Sequence, residues 1–140
     1  MKTVFIIFAA ILVAGCTSSS QPGTGAPAQT QAAKHEGDLT EALSGRIAGP
    51  PQDCVGEADL AGNTAYGKGV IVFRSHTDET LYVNRPAVGC PGLDFGRAIK
   101  TRTPSARLCR GDVITVFDPV SGTEYGSCSL GEFTPYRRTE

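Results

Sequence analysis

Two short segments of the chain are apolar at nearly every position. Residues 70–73 read Val-Ile-Val-Phe, and residues 113–117 read Val-Ile-Thr-Val-Phe. β-Branched and aromatic residues favour extended structure, and a strand with one face in water would alternate apolar and polar side chains. We therefore expect two strands that are covered on both faces, which a single open sheet does not provide.

Each of these segments is followed, after a short polar link, by a second segment typical of a strand. Such spacing predicts two antiparallel hairpins. The second link contains Pro119, which fixes its own φ, and Gly122, which permits a positive φ, so both favour a turn. The predicted strand pairs are 69–74 with 79–84 and 112–117 with 123–129.

Local signals predict three further elements. Residues 97–103 favour another strand, and Cys90-Pro91-Gly92 favours a sharp turn with the proline and glycine in its central positions. Residues 38–41 resemble a capping box, Leu39 and Leu43 share a helix face, and Gly45 suits a helix end. We expect a short helix there, about six residues long.

The chain begins with a different pattern. Lys2 precedes an unbroken apolar run over residues 4–13, and two small residues follow it. This order is typical of a signal peptide, and the run is too short to cross the hydrocarbon core of a membrane, for which a helix needs about 20 residues. Residues 1–15 are therefore predicted to be removed on export.

Residues 12–16, Leu-Val-Ala-Gly-Cys, resemble the lipobox of bacterial lipoproteins. The resemblance implies cleavage before Cys16 and acylation of its thiol with diacylglycerol, with further acyl chains such as palmitate making the anchor firm. Thr17 in the next position implies the outer membrane, with the domain in the periplasm. The alternative is cleavage by the ordinary signal peptidase, which leaves Cys16 as a free thiol.

The residues after Cys16 are rich in Ser, Thr, Gln, Pro, Gly and Ala and contain no aromatic side chain before the domain. Such a composition buries too little apolar surface to offset the entropy of ordering. We predict a lipidated cysteine with a disordered tether over residues 16–36 and a single small domain over residues 37–140.

Four cysteines remain once Cys16 is set aside. An even number in an exported chain favours two disulfides, and the spacings contain no Cys-x-x-Cys pair that would favour zinc. Three pairings are open, and we expect Cys90–Cys109 with Cys54–Cys128. The predicted fold is thus mainly β, a small antiparallel barrel or sandwich stapled by two disulfides, with one short N-terminal helix.

The residues suggest no enzyme. His76 is the one histidine of the predicted domain and lies in a predicted hairpin link, where the sequence proposes no catalytic partner for it, and oxidised cysteines cannot act as nucleophiles. Glu57 and Asp112 could act as a general acid–base pair, but nothing in the sequence favours them over other carboxylates. We predict no catalytic residue, no cofactor and no metal site.

Charge is balanced over the whole chain, with 13 Lys and Arg against 14 Asp and Glu. This balance gives no general attraction to nucleic acid. Five basic residues nevertheless fall close together and form a candidate anion-binding surface for an envelope protein or an anionic envelope polymer. The alternative is a solvated edge strand, partly paired with acidic residues near Cys54. The basic residues are Arg97, Lys100, Arg102, Arg107 and Arg110, and the acidic ones are Asp53, Glu57 and Asp59.

Four segments of the domain resemble a family of small exported bacterial proteins with no established function. The resemblance covers about residues 54–135 and implies a common fold and export, but it implies no activity. The segments are 81–85, 90–93, 108–116 and 127–135.

Residues 121–125, Ser-Gly-Thr-Glu-Tyr, resemble the Ser-Gly-x-x-Tyr motif on a loop of periplasmic lipoprotein inhibitors of C-type lysozyme. This resemblance makes Ser121, Gly122 and Tyr125 a candidate inhibitory loop. The absence of tryptophan departs from what that family leads us to expect.

The sequence leaves three hypotheses. The first is a non-enzymatic envelope lipoprotein that acts as a binding or assembly-support module. The second is an inhibitor of a lysozyme-like hydrolase, acting through the loop at residues 118–125. The third is an enzyme with an unrecognised carboxylate site.

Overall fold

Residues 70–73, which are all apolar, lie in an inner strand of a five-stranded antiparallel sheet. The structure is a computed structural model, and it describes residues 26–93 and 96–139. The helix is α1 (Ala26–Ala42), and a 3-10 turn covers Glu57–Asp59. The strands are β1 (Arg46–Ala48), β2 (Cys54–Gly56), β3 (Leu60–Tyr66), β4 (Val70–Ser75), β5 (Thr80–Asn84), β6 (Ala98–Thr101), β7 (Arg107–Cys109), β8 (Val113–Phe117), β9 (Glu124–Ser129) and β10 (Phe133–Arg138).

The described strands form three antiparallel sheets. The largest has the order β1-β10-β5-β4-β3, the second contains β6-β8-β9, and β2 pairs with β7 in a short ribbon. The sheets do not join into a closed barrel among the described residues, so the sandwich-like alternative of the prediction is the one that fits. The mainly β fold with two disulfides and one helix is confirmed.

Strand β4 is covered on both faces, as its sequence predicts. Ile71 and Phe73 point into the main core, which they share with Ile114 and Val116 of β8. The alternate residues Val70 and Val72 pack against Leu39 of α1. Successive side chains of a strand point to opposite faces, so a continuous apolar run requires a layer on each side. The helix is one layer and the three-stranded sheet is the other.

The same prediction is wrong for strand β8. Ile114 and Val116 are fully buried, whereas Val113 is 58 % exposed and Thr115 and Phe117 are only half-buried. Only one face of β8 meets the core. Lys100 partly shields the outer face, since its Nζ atom lies 5.7 Å from the ring centroid of Phe117. The apolar pattern here reflects high β propensity rather than burial on two sides.

Both hairpins, the β6 strand and the Cys90–Gly92 turn are confirmed. The turn is closed by a hydrogen bond from the Leu93 N–H to the Cys90 carbonyl, and Gly92 has φ of +79°. Five strands were not predicted: β1, β2 and β7 span three residues each, β3 contains Gly62, and β10 contains Pro135. Proline lacks a donor and argues against an inner strand.

All four cysteines of the domain form disulfides, but the expected pairing is wrong. Cys54 bonds to Cys109, and Cys90 bonds to Cys128. The first bond follows from the β2–β7 ribbon, in which Cys54 lies directly opposite Cys109 at a Cα–Cα distance of 4.0 Å. Neither β2 nor β7 has a sequence pattern typical of a strand. The pairing was therefore predicted from the positions of the cysteines along the chain, and this prediction gave the wrong partners.

Helix α1 differs from the short helix predicted at Asp38. It begins at Ala26, so residues 26–36 are helical where a disordered tether was expected. Asp38 therefore lies inside the helix rather than at its start, and its carboxylate pairs with Lys34 at 2.7 Å. Alanine and glutamine are good helix formers, and Pro27 suits a first turn. Leu39 and Leu43 do share the packed face, and Gly45 follows with φ of +70°.

Candidate functional site

The link between β8 and β9 is a well-ordered loop. The Asp118 carboxylate accepts hydrogen bonds from the backbone N–H groups of Val120 at 2.8 Å and Ser121 at 2.9 Å. The Asp118 backbone adds two more, to the Thr123 carbonyl at 2.9 Å and from the Gly122 N–H at 2.8 Å. Gly122 adopts φ of +73°, which a side chain would strain. These four hydrogen bonds and the positive φ of Gly122 define the shape of the loop.

The charge of Asp118 is part of this arrangement. The backbone N–H of Ser121, and then that of Val120, lower the pKa of the Asp118 carboxyl, because these hydrogen bonds favour the ionised form. Arg97 lowers the pKa further through its positive charge. The same hydrogen bonds that favour the ionised carboxylate hold the two backbone donors in place.

The apex of the loop is apolar and fully accessible. Val120 is 94 % exposed, the largest exposure among the large apolar residues of the described chain. The Ser121 hydroxyl is directed back into the loop and donates to Thr123 Oγ1 at 3.0 Å. Val120 is consequently the large apolar side chain that the loop presents to its surroundings, beside exposed Pro119, Ser121 and Thr123.

Tyr125 lies at the beginning of β9 and is 42 % exposed. The guanidinium carbon of Arg97 sits 3.4 Å from its ring centroid, in a cation–π contact. Arg97 also donates to the Gly92 carbonyl at 2.9 Å. The structure thus joins one residue of the candidate anion-binding group to one residue of the candidate inhibitory loop, a contact that the sequence did not predict.

The other basic residues are spread over the domain. Lys100 pairs with Glu124 at 2.9 Å, and this hydrogen bond lowers the pKa of the Glu124 carboxyl. Arg110 pairs with Glu132 at 2.9 Å and with Asp53 at 3.5 Å. Arg102 and Arg107 are exposed. Pairing with carboxylates at two of the five positions favours the alternative of a charged, solvated surface over a single anion-binding site.

The two carboxylates considered for acid–base chemistry have separate structural roles. Glu57 accepts hydrogen bonds from the hydroxyls of Thr101 at 3.1 Å and Thr103 at 3.3 Å. Asp112 accepts the Cys109 backbone N–H at 2.7 Å and closes a turn. His76 is exposed in the β4–β5 link. Within residues 26–93 and 96–139, no three His, Cys, Asp or Glu side chains lie close enough to hold a metal ion.

The predicted signal peptide (residues 1–15) and Cys16, the predicted lipidation residue, lie outside the described residues. Over the part of the chain that the structure covers, no helix has both the length and the apolar character needed to span a membrane. Comparison with protein-family models, curated proteins and solved structures finds no match. The resemblances to an exported family and to lysozyme inhibitors therefore stay predictions.

Two features of this site have different origins in the sequence. The ordered loop has a local signal, because Asp, Pro, Ser and Gly within five positions are typical turn residues, and Asp favours capping the backbone two residues ahead. The Arg97–Tyr125 contact has no such signal, since Arg97 directly precedes β6 and Tyr125 lies on β9, two strands that are held in one sheet only through β8.

Proposed function

We propose that this chain is an exported envelope lipoprotein, anchored through Cys16, whose β domain is a non-enzymatic binding module. The observation that carries the proposal is the loop at residues 118–123, which is ordered by its own hydrogen bonds and presents Val120 almost fully to solvent. We infer that this loop contacts a protein partner in the envelope.

Order in the free loop supports a binding role on energetic grounds. Association costs free energy for every flexible group that must be fixed, and a loop already in its bound shape avoids that cost. Single exposed apolar residues are common on protein surfaces. Here the exposed valine stands in a hydrogen-bonded turn, and Arg97, which contacts the half-exposed ring of Tyr125, lies close enough to the turn to lower the pKa of Asp118. Aromatic and arginine side chains are enriched at protein interfaces.

The binding role predicts a position-specific crosslink in intact cells. A photoreactive amino acid at Val120 is expected to give a discrete adduct with an envelope protein after irradiation. The same amino acid at Val88, which is 87 % exposed in a different loop, is the matched control and is expected to give none. Equal adducts at both positions, or none at Val120, would contradict the proposal.

The anchor is tested in the same cells. The Cys16→Ser variant removes the thiol that would carry lipid, so it is expected to leave the membrane fraction while keeping its fold. Retention of the variant in the outer membrane would contradict lipid anchoring, and fractionation of wild-type cells distinguishes the outer membrane from the inner one.

Inhibition of a C-type lysozyme is the second candidate function. The position of Ser121 and Gly122 at a projecting loop, with Tyr125 beside it, favours this alternative, because an inhibitor must insert a rigid segment into an enzyme cleft. The protein is then expected to inhibit lysozyme at micromolar concentration, and Gly122→Val is expected to abolish inhibition by distorting the turn. No inhibition by the wild-type protein would exclude this function.

A further inference from the structure

The two larger sheets end in edge strands that border a common cleft. In the described part of the chain, β3 pairs only with β4, and β6 pairs only with β8. Between them lies a cleft of about 220 Å³. Leu60, Phe73, Ile99 and Leu108 give it an apolar lining, and Glu57 and Thr101 add polar groups.

The core is less completely covered on this side of the domain. Phe73 and Leu108 are each 2 % exposed, but Leu60 and Ile99, which pack against the same core, are only partly buried. In the central strands, Ile71, Ile114 and Val116 are fully buried. The apolar side chains of the two edge strands therefore leave space that a further apolar side chain can fill.

The backbone of β3 adds a second kind of binding capacity. Edge strands leave backbone N–H and C=O groups without a sheet partner on one side, which makes them templates for another strand. Pairing of β3 with β4 is regular from Gly62 to Tyr66, after a register shift between Leu60 and Gly62. This regular stretch is long enough to pair with a short extended peptide.

We propose that the cleft between β3 and β6 binds an extended peptide segment of a partner protein by strand addition to β3. Backbone hydrogen bonds supply affinity in this mode, and pockets for alternate side chains supply specificity. The cleft volume lies below the range of roughly 300–1,000 Å³ typical of small-molecule sites, so it suits one large apolar side chain.

The charge of Glu57 indicates which peptide residue should stand beside the apolar side chain that enters the cleft. Glu57 is exposed and holds its carboxylate at the cleft through the hydroxyls of Thr101 and Thr103. A carboxylate in this position favours a basic residue in the peptide. A second cleft continues along β3 past Asn63 towards Arg97. We therefore expect a peptide with alternating apolar residues and a lysine or arginine next to the one that enters the cleft.

The proposal is tested with a random seven-residue peptide library displayed on phage, selected against the full chain carrying Cys16→Ser. Enriched peptides are expected to alternate apolar residues and to include lysine or arginine. Ala61→Trp, at an exposed position that lines the cleft, is expected to weaken binding of a synthetic enriched peptide at least tenfold. Glu57→Lys is expected to weaken it similarly, because it repels the basic residue.

Two controls separate strand addition from other binding. Ser129→Trp places the same side chain at an exposed position of β9, the opposite edge of the three-stranded sheet, and is expected to leave affinity unchanged. A copy of the peptide with alternate backbone nitrogens methylated keeps its side chains but loses donors, and is expected to bind at least tenfold more weakly. The proposal would be overturned if no peptide is enriched or if the peptide binds Ala61→Trp as well as wild type. Dimerisation of the wild-type chain in sedimentation that Ala61→Trp prevents would overturn it too, because β3 would then pair with a second copy. The loop at residues 118–123 is not involved in this peptide binding.

Discussion

Replacing Cys90 and Cys128 together with alanine is expected to lower the free energy of unfolding by about 5 kcal/mol. The disulfide closes a loop with a sequence separation of 38 residues, for which the loop-entropy model gives about 4 kcal/mol. Cys90 is 0 % exposed and Cys128 6 %, so lost packing adds about 1 kcal/mol. This loss is about a third or more of the total stability of a small domain, which is about 5–15 kcal/mol, so the unfolding midpoint should fall sharply. Urea unfolding followed by circular dichroism measures the change.

The second disulfide is the matched control. Cys54→Ala with Cys109→Ala removes a bond of similar loop length, with a separation of 55 residues, but from half-buried positions in a two-stranded ribbon. This variant is expected to lose the entropic part only and to be the more stable of the two. Peptide mapping of the unreduced wild type should give Cys54–Cys109 and Cys90–Cys128 peptides. A Cys90–Cys109 peptide, or the reverse order of stability, would contradict the structure.

Replacing Asn84 with alanine is expected to cost about 3 kcal/mol. The side chain of Asn84 is fully buried and bonds both backbone groups of Gly131, donating to its carbonyl at 2.8 Å and accepting its N–H at 2.9 Å. Each buried polar group left without a partner costs about 1–3 kcal/mol. Gly131 cannot relax easily, because even a Cβ atom there would clash with the Arg85 carbonyl oxygen. The free energy of unfolding in urea is the measurement.

Asn63→Ala is the control for this prediction. Asn63 is exposed on β3, so its loss is expected to change stability by less than about 0.5 kcal/mol. Gly131→Ala should be strongly destabilising for a different reason, the steric clash with Arg85. If Asn84→Ala is as mild as Asn63→Ala, the segment between β9 and β10 does not depend on this contact.

The strands with strong local signals were predicted well. Val70–Ser75 and Thr80–Asn84 contain β-branched and aromatic residues in a short run, and turn residues separate them, so local propensity was sufficient. Strand β10 was missed because Pro135 argues against an inner strand. In the structure, regular pairing with β1 begins only at Tyr136, and the Pro135 carbonyl instead accepts the Gly49 N–H at 2.7 Å. The segment after β1 thus bonds to the carbonyl of Pro135, and β10 tolerates a residue without an N–H donor at this position.

The candidate site also combines a feature that the sequence predicts with contacts that it does not predict. The loop that Asp118 orders has a turn composition that can be read directly from the chain. The partners of the basic residues could not be read in this way, because Lys100 meets Glu124 only through the register of β6, β8 and β9. The ion-pair partner of a charged side chain depends on how the strands align, and this alignment depends on the whole sheet rather than on neighbouring residues in the sequence.

The sequence by itself determined the mainly β class, the two hairpins and the participation of four cysteines, and it predicts export and lipidation at Cys16. These features depend on short runs of residues whose propensities act locally. Only the tertiary structure decided which cysteines bond and which face of β8 is buried. It also decided that β3 and β6 border an open cleft. Each of these depends on contacts between segments that are distant along the chain, where local propensity carries no information about the partner.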